Sequence, residues 1–186
     1  MNAIQNSKVN RLAIKLKPSA ERMVKQSHPW IFADSIIKQS SFGKPGDVAV
    51  VFDTKSNKFL ACGLFDPDSP IKVKLLQFYE PKDINPSFFR AKINAAYSLR
   101  QTKMPAGTNS YRLIFGENDG LPGLIADVYA SVLVLKLYSL IWLPYIKEII
   151  TILAEITSSN AIVLRTSRIT QKGFEKVGLK NGQVVF

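Results

Sequence analysis

Residues 11–17 alternate apolar and basic side chains (Arg-Leu-Ala-Ile-Lys-Leu-Lys), the period-two pattern of a half-buried strand. Pro18 and Ser19 then predict a short helix through Gln26, with Ser19 in the capping position. His28-Pro29-Trp30-Ile31-Phe32 follows as an aromatic-rich turn in which Pro29 holds His28 extended. Gly43-Lys44-Pro45-Gly46 is a turn, and 47–52, 59–65 and 71–78 are strands, the first two joined by the polar turn 53–57. Many short strands with a single helix over about 70 residues predict a small, partly closed β-barrel.

The period changes after the polar, proline-containing segment 80–83, which marks a domain boundary. Asn85 is a helix cap with Pro86 in the first helical position, and Phe89, Ile93 and Ala96 share one face of the helix that follows. A loop at 105–109 leads to a strand at 111–115 and a hairpin of 124–129 with 132–138. Pro144 starts a second helix whose apolar stripe is Tyr145, Ile146, Ile149, Ile150 and Leu153, ended by Ser158-Ser159-Asn160. A strand at 161–164 follows, and 184–186 begins another. The fold class expected is α+β in two domains, 1–80 and 84–186.

Composition narrows the chemistry. Lys and Arg number 25 against 14 Asp and Glu, a net charge of +11 that favours polyanionic partners, nucleic acid foremost. Cys62 is the only cysteine and His28 the only histidine, which excludes an internal disulfide and a His/Cys zinc cluster and suits a reducing cytoplasm. Residues 1–10 are polar and lack the apolar run of a secretory leader. The apolar stretch 132–156 is interrupted by Lys136, Pro144, Lys147 and Glu148, so it reads as strand plus core helix rather than a membrane span.

Gly116, Gly120 and Gly123 are the nearest approach to a glycine-rich cofactor loop, but their spacing is not GxGxxG and the strand-like Leu-Ile-Ala-Asp-Val-Tyr follows them where a helix should open. They are read as turns, Asp119-Gly120 with positive φ and Pro122-Gly123 as type II. Glu117 and Asp119, with no His or Cys nearby, are read as a solvated turn rather than a catalytic or metal pair. Cys62, in an apolar strand without an adjacent cation, is read as a buried structural thiol. His28, Trp30 and Phe32 have two readings: a surface that stacks on unpaired bases beside Arg22 and Lys25, or a plug at one end of the barrel. Arg165, Arg168, Lys172, Lys176 and Lys180 are either a phosphate-contacting tract or a solvated face.

His28 to Phe32, the strand 59–65 and the block Tyr111 to Asp127 occur together and in order, and this combination resembles the large-subunit rRNA cytosine-5 methyltransferase I family. The resemblance implies a PUA-like RNA-binding barrel at about 10–80 and a central α+β domain thereafter. It further implies that the S-adenosylmethionine site and the catalytic cysteine belong to a third, Rossmann-like domain that this chain, ending at Phe186, is expected to lack. The family pattern has Arg where Val128 stands and Arg-Ser-Asp where Arg165-Thr166-Ser167 stands, and both departures remove a charge that could serve a domain contact. The expectation is therefore an RNA-binding, substrate-recognising region with no catalytic, cofactor-binding or metal residue of its own. Arg22, Lys25, Lys44, Arg112, Arg165 and Arg168 would contact phosphates of rRNA, and His28, Trp30 and Phe32 would form the aromatic part of the surface. A subunit of a split methyltransferase, completed by a separate catalytic domain, and a truncated interaction module remain the alternatives.

Overall fold

The structure, a computed structural model, describes residues 8–186. Residues 1–7, which carry most of the polar N-terminal stretch, lie outside the described residues. The chain forms two compact units, one ending at Asp83 and the other beginning at Ile84.

The first unit holds β1 (Arg11–Leu16), α1 (Pro18–Lys25), β2 (Trp30–Phe32), β3 (Ile36–Gln39), β4 (Val48–Phe52), β5 (Phe59–Phe65) and β6 (Ile71–Phe78). They form one six-stranded sheet in the order β2-β6-β5-β4-β1-β3, antiparallel except for the β1–β4 pair. The two edge strands are consecutive in sequence, joined only by the 3-10 turn Ala33–Ser35. A flat sheet would hold its outer strands roughly 24 Å apart at the usual strand spacing. Four peptide steps from Phe32 to Ile36 span at most about 14 Å. The sheet must therefore curl, and its concave side encloses Leu12, Ile14, Leu16, Val24, Ile31, Val51, Val73 and Leu75. β3 was not expected from the sequence, because its alternation covers only four residues.

Two local expectations are corrected. Lys17, not Ser19, occupies the cap of α1 and makes no side-chain cap bond; Pro18, with φ preset and no N–H to satisfy, takes the first helical position. The segment Trp30–Phe32 is a strand rather than a turn: Trp30 pairs with Lys74 and Ile31 with Val73, and Leu75 N–H donates to Pro29 O at 2.7 Å.

Gly63 of β5 is fixed by close approach. A Cβ there would stand 2.1 Å from Lys74 O and 2.6 Å from Leu75 Cα, both backbone atoms of β6. Gly63→Ala is expected to destabilise the chain by about 1–3 kcal/mol through this overpacking, read from the denaturant midpoint. An unchanged midpoint would contradict the register.

The second unit holds α2 (Pro86–Lys103), β7 (Ser110–Phe115), β8 (Leu124–Tyr129), β9 (Val132–Leu137), α3 (Ile146–Thr157), β10 (Ala161–Thr166) and α4 (Gln171–Glu175). Asn85 caps α2 as expected, its side chain accepting from Phe88 N–H at 2.9 Å. The sheet order is β10-β9-β8-β7, antiparallel but for the β9–β10 pair, whose parallel crossover contains α3. Pro144 does not start α3. Leu140–Tyr145 is a 3-10 turn capped by Ser139 with Pro144 inside it, and the α-helix begins at Ile146. At the C-terminus, Val184 makes only an isolated bridge with Val163.

One face of this sheet is covered: α2 packs on α3 and β7, and α3 packs on β10. That face buries Leu113, Leu124, Ala126, Leu133, Leu135, Leu137, Ile162 and Leu164 together with Phe89, Ile93, Ile149, Ile150 and Leu153. Val128 lies on it at 4% exposure, so the residue fills the core rather than leaving a gap in a charged surface. The opposite face carries Arg112, Phe115, Asp127, Tyr129, Lys136 and Arg165, none of them buried.

Candidate nucleic-acid interface

The aromatic segment of the first unit becomes a surface through strand alternation. Ile31 points into the barrel at 1% exposure, which turns Trp30 and Phe32 outward at 36% and 42%. His28 and Trp30 meet edge-on with centroids 5.9 Å apart, and Trp30 and Phe32 likewise at 6.5 Å. The rings therefore form a continuous ladder, with Trp30 and Phe32 exposed and His28 half-buried, rather than a plug in the barrel end.

The ladder leaves directly from the end of α1. His28 N–H donates to Met23 O at 3.0 Å, and Ser27 turns the chain with φ 62°. Helix α1 supplies Arg22 and Lys25, both exposed. They are not equivalent. Lys25 Nζ lies 2.8 Å from Asp53 and 3.8 Å from Glu21. The hydrogen bond to Asp53 raises the ammonium pKa, and Lys25 in turn, with Ser56, holds the Asp53 carboxyl well below its usual range. Asp53 is thus ionised throughout the neutral range, and protonates only when pH falls through its lowered folded value. At neutral pH Lys25 is already compensated, while Arg22 has no ion-pair partner among the described residues. Arg22→Ala is expected to weaken RNA binding several-fold more than Lys25→Ala, compared by anisotropy at one salt concentration; the reverse order would contradict this assignment.

Lys44 is exposed in the loop between β3 and β4, where its backbone N–H donates to Asp47 at 2.8 Å. The remaining expected cations, Arg112, Arg165 and Arg168, belong to the second unit and are exposed there. Arg112 is held by Asp127 through Nε (2.7 Å) and Nη2 (3.1 Å), and its guanidinium stands 5.2 Å from the Phe115 centroid. Asp127 raises the Arg112 pKa, so the arginine stays charged. Arg165 sits on β10 in register with Lys136 of β9. Lys136 reads in the sequence only as an interruption of the apolar stretch 132–156; the sheet register brings it beside Arg165.

The glycine-rich segment is a structural connection. Gly116–Asp119 forms a 3-10 turn, Gly120 has φ 67° and Gly123 φ 71°, and the segment links two antiparallel strands. A strand rather than a helix follows it, so these glycines do not form the glycine-rich strand-to-helix turn of a Rossmann-type nucleotide site. Asp119 is not in a solvated turn: its carboxylate takes both Arg100 Nη1 and Nη2 at 2.6 Å and Phe115 N–H at 2.6 Å. Cys62 is buried, with its thiol directed at Lys82 O. Among the described residues no cluster of His, Cys, Asp and Glu could hold a metal ion, and no helix is long and apolar enough to cross a membrane.

Residues 14–78, the curled sheet with its aromatic ladder, match the family model of a PUA-like domain. Over nearly its whole length the chain is similar to a ribosomal RNA large subunit methyltransferase. It is 35% identical over 185 residues to a ribosomal RNA large subunit methyltransferase of Deinococcus radiodurans, covering 97% of this chain and 45% of that protein. It is 39% identical over 131 residues to ribosomal RNA large subunit methyltransferase I of Shewanella frigidimarina, covering 69% of this chain and 32% of that protein. The chain thus spans less than half the length of these curated relatives. Its fold is shared with a candidate SAM-dependent methyltransferase of Streptococcus mutans, at TM-score 0.70 and 13% identity over 83% of this chain and 40% of that one. A similar likeness, at TM-score 0.71 and 14% identity over 85% of this chain and 40% of that one, holds for a candidate methyltransferase complexed with SAH.

Proposed function

We propose that this chain is an RNA-binding, substrate-recognition region of a large-subunit rRNA methyltransferase system, and that the methyl donor is bound by residues outside it. The His28–Trp30–Phe32 ladder, exposed at Trp30 and Phe32, is the observation that carries this reading. Exposed rings beside cations are the arrangement that stacks on unpaired bases while phosphates are neutralised. The match of residues 14–78 to a PUA-like domain and the rRNA methyltransferase relatives support the same reading.

The residues present support this division of labour. The barrel offers rings and the helix α1 offers Arg22, but the 116–123 segment offers no cradle for an adenosyl group. S-adenosylmethionine, where bound in the system, supplies the methyl group; this chain positions the RNA. A gel-shift titration with a structured large-subunit rRNA fragment is expected to give a discrete complex at low salt, and absence of any complex would defeat the proposal. Calorimetric titration with S-adenosylmethionine is expected to give no heat of binding. Saturable micromolar binding would contradict the assignment of the donor to residues elsewhere.

A further inference from the structure

We infer that the uncovered face of the four-stranded sheet in the second unit is a separate binding surface for unpaired RNA nucleotides. The inference rests on the RNA-binding reading above and deepens it on the other unit, where it joins the expected cations Arg112 and Arg165 to Lys136 and to three rings not assigned before.

The register assembles the surface. Across β7, β8, β9 and β10, Phe115 pairs with Ile125, Ile125 with Lys136, and Lys136 with Arg165, so these side chains form one row on one face. Arg112 and Asp127 pair in the next row, and Tyr129 stands two residues further along β8. Phe115, Tyr129 and Tyr138 are exposed at 47%, 55% and 44%. The Lys136 ammonium lies over the Tyr138 ring at 4.8 Å, and Arg112 lies over Phe115 at 5.2 Å. Three rings and three cations thus share the face, against a single carboxylate, Asp127. A shallow cavity of about 320 Å³ opens at its β7–β8 edge, lined by Arg112, Asp127 and Tyr129 with Ser110 and Tyr111.

Charge and composition select the occupant. The inner strands set Lys136 beside half-buried Ile125, Val132 and Val134; a protein partner would have to desolvate that ammonium, and lysine is depleted from the cores of protein interfaces. RNA-binding sheets instead place aromatic rings on an open face backed by helices and surround them with cations. The excess of positive charge fits a phosphate backbone, and each ring offers a sequence-tolerant stacking platform.

The test uses the whole chain and a labelled single-stranded RNA of about 12 nucleotides, followed by anisotropy. The pair Tyr129→Ser and Tyr138→Ser is expected to weaken binding about tenfold or more, and the pair Tyr129→Phe and Tyr138→Phe to retain it, since rings rather than hydroxyls stack. Lys136→Gln with Arg165→Gln should lower the slope of log Kd against log salt by about 1.4, the value for two phosphate contacts on a single strand. Thermal melts check that each variant is folded. If the double tyrosine-to-serine variant binds as wild type while Trp30→Ala weakens binding, RNA recognition stands and this face has no part in it. If sedimentation shows self-association of the wild type that the double tyrosine-to-serine variant loses, with RNA affinity unchanged, the face is a protein interface and the inference is wrong. Failure of the wild type to bind any RNA at low salt overturns both readings.

Discussion

Replacing Trp30 and Phe32 together by alanine is expected to weaken RNA binding by about 10- to 100-fold while leaving the barrel folded. Each base stacked on an aromatic side chain contributes about 1–3 kcal/mol, and a tenfold change in affinity corresponds to about 1.4 kcal/mol. Both rings are on the outer side of β2, so the core does not lose them. Ile31, one residue away from each, is the internal control. Its truncation to alanine removes a fully enclosed side chain and is expected to cost about 2–5 kcal/mol of stability. Anisotropy and thermal melts on the two variants separate the roles: affinity without stability for the rings, stability for Ile31. Unchanged affinity in the double-ring variant would remove the ladder from the binding surface.

The largest stability effect is expected at Asp119. Its side chain is 6% exposed and Arg100 beside it 17% exposed, and the two make a bidentate pair at 2.6 Å. The same carboxylate accepts from Phe115 N–H and so ties α2 to the turn between β7 and β8. Asp119→Ala would leave a largely enclosed guanidinium without its partner, which costs about 3–5 kcal/mol in comparable pairs. Removing both charges, with Arg100→Met and Asp119→Leu, is expected to cost less than the single change, because no isolated charge then remains. Urea unfolding of the three variants measures this. A loss below about 1 kcal/mol for Asp119→Ala would show that water reaches the pair freely.

How far these features could be read in the sequence depended on the range of the forces involved. The strands 59–65 and 71–78 and the stripe Ile146, Ile149, Ile150, Leu153 are set by local period and burial, and the structure has them as expected. Asn85 with Pro86 is a local cap signal and was equally readable. Asp119 was misread because its partner, Arg100, lies 19 residues away on another element, and nothing within the turn signals a buried carboxylate. Trp30 and Phe32 stand out in the sequence as rings, but their outward direction depends on pairing with β6, about 40 residues later. The row that joins Phe115, Lys136 and Arg165 is a consequence of sheet register alone, which no single segment encodes.

The central claim is that cationic and aromatic side chains of this chain grip RNA. The dissociation constant for a structured large-subunit rRNA fragment, measured across a series of salt concentrations, tests it most directly. With about four or more phosphates neutralised, log Kd should rise with log salt at a slope of about 3 or more. Affinity that does not change with salt, or no binding at the lowest salt, would contradict the account.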